Sequence, residues 1–197
     1  MKIDRIVFDE VVFSVNDDRD MKIVGQQEEI AETVPNISEL DRQSANLEKA
    51  RRLGQALASE LVAAPEKYGV GLIAAQTDGD PVVNLLQQRI LLAFAVSVGL
   101  ESFSVSPLVA RTALSIFYNT LKRINYEFYE DINNSGSVSF YYLAKRRGID
   151  VERRVGQTFA MLCGKDGDGV MCELGETLYC RFLASVRQHI SDMGLEN

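Results

Sequence analysis

The chain has 197 residues and a mass of 21.9 kDa, 46% of them apolar and 25% charged. That is ordinary globular composition and excludes a disordered chain, a collagen and a disulfide-stapled miniprotein. The net charge of −7 comes from 28 acidic and 21 basic residues, so a generally basic nucleic-acid footprint is absent.

The acidity is local. Residues 1–50 hold 12 acids and 6 bases, a net of −6, and residues 51–197 hold 16 and 15, a net of −1. Three cysteines, an odd number, suit free thiols in a reducing compartment better than a disulfide framework. The opening Met1-Lys2-Ile3-Asp4 has no apolar run of the signal-peptide kind. The most apolar stretch, Ile90 to Leu100, is eleven residues between Arg89 and Glu101. It falls short of the roughly 20 needed to cross a bilayer and reads as a buried helix. The expected location is cytoplasmic, with no membrane partner.

In chain order, residues 5–15 (Arg-Ile-Val-Phe-Asp-Glu-Val-Val-Phe-Ser-Val) are rich in β-branched residues and phenylalanine and predict a strand or short hairpin. Residues 16–37 read as an acidic arm. Ser38 with Asp41 resembles a capping box that opens a helix to about Ala64, ended by Pro65. Leu47, Ala50, Gly54, Leu57 and Leu61 form its apolar stripe. Asp80-Pro81 and Ser106-Pro107 each place a capping residue before proline at the first helical position. The first opens a helix to about Val98 with Gly99 as its C-terminal cap. The second opens one whose stripe is Leu114, Phe117, Leu121, Ile124 and Phe128. Further helices are expected from Ser137 to Arg147, closed by Gly148, and from Asp150 to Gly164. The last, from Val170 to Asp192, carries Met171, Leu174, Leu178, Phe182, Val186 and Ile190. The expected fold class is all-α: an irregular bundle of about six helices over residues 38–197, preceded by a small β-prone N-terminal element and arm over 1–37.

The chemistry available is narrow. His189 is the one histidine, so a di-iron bundle built on two Glu-x-x-His motifs is impossible. Cys172 and Cys180, on one helix, would lie about 12 Å apart along its axis, too far to share a zinc ion with Cys163 and His189. Gly69-Val-Gly71-Leu-Ile-Ala74 fits the loose dinucleotide pattern but has no strand before it. Gly164-Lys165-Asp166 lacks the spacing and hydroxyl of a phosphate-binding loop. No cofactor is implied, and no catalytic set of nucleophile, base and orienting group emerges.

Two segments resemble known motifs. Asp131-Ile-Asn133-Asn-Ser135-Gly136-Ser-Val138-Ser139-Phe-Tyr-Tyr142 is similar to an EF-hand loop. Asp131, Asn133 and Ser135 would be its metal ligands, glycine stands sixth, and Tyr142 replaces the bidentate glutamate at the twelfth position. The alternative is a turn whose serines cap the next helix, and no metal is assigned. Leu143-Ala144-Lys-Arg-Arg-Gly148-Ile149-Asp-Val-Glu-Arg153-Arg154-Val155-Gly-Gln157-Thr-Phe159 is similar to the helix-turn-helix of bacterial and phage regulators. Ala144, Gly148 and Ile149 match, whereas Arg147 and Arg154 stand at positions that family fills with inward-packing residues. The resemblance implies DNA contacts from Lys145, Arg146, Arg147, Arg153 and Gln157. The alternative is an ordinary helical corner.

Tyr118, Tyr126, Tyr129, Tyr141 and Tyr142 cluster in sequence with Phe117, Phe128 and Phe140, enough to line a pocket for a small apolar or aromatic ligand or to pack a core. With standard catalysts set aside, the leading expectation is a non-enzymatic protein-interaction module. Its partner would be a second copy or another protein. A DNA-binding regulator using residues 138–160 and a small-ligand binder stand behind it.

Overall fold

A computed structural model describes residues 37–67, 80–146 and 148–196. The β-prone element, the acidic arm and the Gly69–Ala74 motif lie outside these residues. Seven helices are present among the described residues: α1 Ile37–Lys67, α2 Pro81–Phe103, α3 Pro107–Ile124, α4 Tyr126–Asn134, α5 Ser137–Arg146, α6 Val151–Leu162 and α7 Gly169–Asp192. There is no strand among them, only one isolated antiparallel bridge between Ser104 and Glu196.

The helix at the centre is α2. From Ile90 to Leu100 every residue is buried, because the other helices each take a share of its surface. Its most apolar window is long enough to cross a membrane, yet 72% of that window is enclosed by the rest of the fold. The two longest flanking helices pack along different partners, α1 on α3 and α7 on both α2 and α6. Sequence stripes become core. Leu57 and Leu61 of α1, Phe117 and Leu121 of α3, and Phe182, Val186 and Ile190 of α7 are fully or almost fully buried.

Several of these crossings are set by glycine. A Cβ on Gly54 of α1 would collide with the Ala113 carbonyl of α3. On Gly175 of α7 it would sit 2.6 Å from Phe159 Cβ of α6. At Gly99 it would sit 2.6 Å from Val186 Cγ1 of α7. The last observation corrects the expected end of α2. Gly99 does not cap the helix; it lies within it, and its missing side chain lets α7 approach. The cap proper is Ser104, five residues on.

A second correction concerns the segment after Pro107, expected as one helix through Phe128. Asn125, at φ −152°, divides it. Its backbone N–H still donates to Leu121 O (2.8 Å), while its side-chain Oδ1 accepts from Phe128 N–H (3.1 Å) and starts α4 in a new direction. Phe128 therefore remains buried but belongs to the next helix, and Ile124, at the end of α3, is exposed. At the other end of the fold, α1 takes Pro65 into its last turn and runs on to Lys67. The expected caps at Asp80, Ser106 and Gly148 are in place: Asp80 accepts from Val82 N–H, Ser106 from Val109 N–H, and Gly148 is left-handed at φ +72°.

Candidate functional site: the face formed by α5 and α6

Helices α5 and α6 form a hairpin on the outside of the bundle. Gly136 (φ +66°) turns the chain out of α4, and Ser135 Oγ accepts from Ser137 N–H (3.3 Å) to begin α5. Gly148 donates its N–H to Lys145 O (3.0 Å) and reverses the chain. Asp150 follows at φ +49°, left-handed and without a side-chain capping bond; its backbone carbonyl accepts from Arg154 N–H (3.0 Å) instead. The far end of α6 closes in a Schellman motif. Gly164 (φ +70°) donates to Met161 O (3.0 Å) and Lys165 to Ala160 O (2.8 Å).

One side of α6 is committed to α7 through Val155, Gly156, Phe159 and Ala160, all buried. The side toward α5 is not. Between the two helices runs an open groove of about 300 Å³, lined by Phe140, Leu143 and Ala144 of α5 and by Arg154, Gln157, Thr158 and Met161 of α6, with Asp166 beyond its end. Its apolar residues face water: Phe140 is 48% exposed, Leu143 58% and Met161 41%. Nearby, Ile149 is 68% exposed. In a helix-turn-helix domain the interior between the two helices is the part that is covered; here it lies open.

The charges in this groove are arranged lengthwise. Arg154 stands near the start of α6 and Asp166 just past its end, with Thr158 and Met161 between them. Eight residues of helix, from Arg154 to Leu162, advance about 12 Å. The groove thus has an apolar floor, a cation at one end and an anion at the other.

The residues implicated by resemblance are dispersed. Lys145 Nζ is bound to Glu101 of α2 at 2.9 Å. Arg146 is exposed, and Arg147 lies outside the described residues. Arg153 and Gln157 line a neighbouring cavity of about 470 Å³ whose other charged walls, Asp166, Glu173 and Glu176, are all acidic. Asp131 and Asn133 sit in the last turn of α4, two residues apart and so on different sides of the helix, with Ser135 at its C-cap. No cluster of three metal-ligating side chains occurs among the described residues.

The tyrosines are packing elements. Tyr141 stacks on Phe94 of α2 at 5.4 Å, Tyr142 meets the same ring edge-on at 5.2 Å and Tyr179 stacks at 5.9 Å. Burial pushes the Tyr141 phenol well above its usual range and Tyr179 up to about 12. Burial likewise pushes the Cys163 thiol up to about 12, so it stays protonated and unreactive. His189 is half-buried at the α1–α7 contact. Its Nδ1 lies 2.9 Å from Ser185 O and its Nε2 3.5 Å from the Glu60 carboxylate, which also accepts from Ser185 Oγ (2.9 Å).

Compared with known proteins, the chain matches no family model, no curated protein and no solved structure. The site rests on geometry alone. The sequence points to Arg153 and Gln157, and to Phe140 as one of the aromatics able to line a pocket, but not to Leu143, Met161 or Asp166 as groove residues.

Proposed function

We propose that this protein is a non-enzymatic self-association module, in which the α5–α6 faces of two copies pack about a two-fold axis. The observation that carries the reading is the lengthwise polarity of the groove. A two-fold axis across α6 runs the helix antiparallel to its mate, which sets Arg154 of each copy against Asp166 of the other, and one patch serves both sides. Phe140, Leu143 and Met161 supply the apolar centre such a contact needs, with polar Gln157 and Thr158 beside them. The other face of α6 is already occupied by α7, so association leaves the core intact.

The test is light scattering coupled to size exclusion. The full chain runs as a dimer, and Leu143→Glu with Met161→Glu runs as a monomer with an unchanged circular dichroism spectrum. Arg154→Asp weakens the dimer by like-charge repulsion, and adding Asp166→Arg restores it. A wild-type monomer at high micromolar concentration refutes the reading. So does a dimer indifferent to both sets of changes.

A further inference from the structure

A third cavity, of about 430 Å³, lies where α2 turns into α3 and shares no lining residue with the α5–α6 groove. Its walls are Leu100, Glu101 and Ser104 from the end of α2, the linker Val105-Ser106, and Pro107, Ala110, Arg111 and Leu114 from α3. The linker is held in place. Val105 N–H donates to Leu195 O at 2.7 Å, and Leu195 is itself fully buried.

Three features of this corner stand out among the described residues. Arg111 and Glu101 line the same cavity but form no ion pair with one another. Among the described residues Arg111 is exposed and engaged by no other group, while Glu101 is held by Lys145 through Oε2 alone, which leaves its second oxygen free. Ser104 is 8% exposed, and its hydroxyl has no hydrogen-bond partner. A buried hydroxyl left unpaired is costly, and here it stands beside the start of α3, where the helix dipole favours negative charge.

We propose that this corner binds a small zwitterion, an α-amino acid with an apolar side chain. The carboxylate takes a paired hydrogen bond from the Arg111 guanidinium and a further one from the Ser104 hydroxyl, at the positive end of α3. The ammonium group donates to the free oxygen of Glu101. The side chain lies on Ala110, Leu114 and Val105. Each end of the ligand thereby meets an opposite charge, the Arg111 guanidinium at one end and the second oxygen of the Lys145-paired Glu101 at the other, and the ligand spans the two. This site is independent of self-association and stands or falls separately from it.

The experiment is ligand-observed NMR with the full chain, backed by thermal shift, using L-leucine and three truncated probes. 4-Methylpentanoate lacks the ammonium group, isoamylamine lacks the carboxylate, and glycine lacks the side chain. L-leucine binds at millimolar concentration or below and raises the melting temperature. Each truncated probe binds at least about tenfold more weakly, the two singly charged probes by the loss of a charge-assisted hydrogen bond and glycine by the loss of apolar contact. Arg111→Gln and Glu101→Gln each weaken leucine by a similar factor; ligand-free Arg111→Gln melts as the wild type, and ligand-free Glu101→Gln, which loses the ion pair to Lys145, melts slightly lower. Absence of leucine binding overturns the proposal. 4-Methylpentanoate binding as well as leucine overturns it, and so does a variant of either charged residue that binds leucine unchanged.

Discussion

The crossing of α6 and α7 offers a direct test of how this fold is held together. Replacing Gly175 by alanine adds one methyl group whose carbon would lie 2.6 Å from Phe159 Cβ and 2.8 Å from the ring. Ordinary contact begins at 3.4 Å, so the helices must part by about 0.8 Å or Phe159 must move. Phe159 is fully buried and has nowhere to go. A gap of this size forfeits about a quarter to a half of the dispersion energy across the contact, and overpacking of this kind costs about 1–3 kcal/mol. Alanine returns up to about 1 kcal/mol through its better helix propensity. The expected net loss is about 1–2 kcal/mol, which lowers the melting temperature by about 2–8 °C for a chain of this size. Gly169→Ala is the control. It lies at the start of α7 with nothing within 4 Å of the added carbon, so it stabilises by about 0.5 kcal/mol through the unfolded state. Melting followed by circular dichroism at the helix band reads both. If Gly175→Ala melts at or above the wild type, the helices can separate freely, and close approach through glycine is not what holds α6 to α7.

Other outcomes follow from single contacts. Ser185→Ala removes the hydroxyl that donates to the Glu60 carboxylate at the α1–α7 contact; it lowers stability by about 1–2 kcal/mol, read as a shift in the urea midpoint. Asp168→Ala removes the oxygen that accepts from Met171 N–H at 2.9 Å and costs about 1 kcal/mol. Asp150→Gly, at a left-handed residue whose side chain caps nothing, instead stabilises by about 1 kcal/mol in the same urea assay. Stability also falls with alkali. Cys163 and Tyr179, pushed from 9.0 and 10.0 to about 12 in the fold, stay protonated when the unfolded chain has already released those protons. The stabilisation is complete below about pH 9 and is lost as pH rises toward 12. Cys163→Ala flattens the lower part of that decline in urea titrations at successive pH values.

What could be read in advance was what the chain decides locally. Asp80-Pro81, Ser106-Pro107 and Gly148 mark their helix boundaries because a cap is settled within one turn. Asn125 escaped because its helical neighbours continue the same apolar spacing, and only the position of α4 against the core selects a break there. Gly99 was misjudged for a related reason. A glycine after an apolar helix suits a cap, and nothing local reveals that Val186, far along the chain, will occupy the space above it. The groove was harder still. Leu143 and Met161 look like ordinary stripe residues, and their exposure depends on no third helix among the described residues covering the groove side of α5 and α6, a fact about topology and not about any segment.

The enclosure of α2 has a consequence during synthesis. A helix that is apolar on all sides has no face that can be left toward water, so it cannot rest half-folded while its neighbours are made. Its most extensive cover comes from α7, with a smaller share from α1, already made, and Asp192 follows Phe103 by 89 residues. At bacterial to eukaryotic elongation rates of about 5–20 residues per second that interval is about 4–18 s. For those seconds the native fold cannot yet shield the chain's most apolar segment.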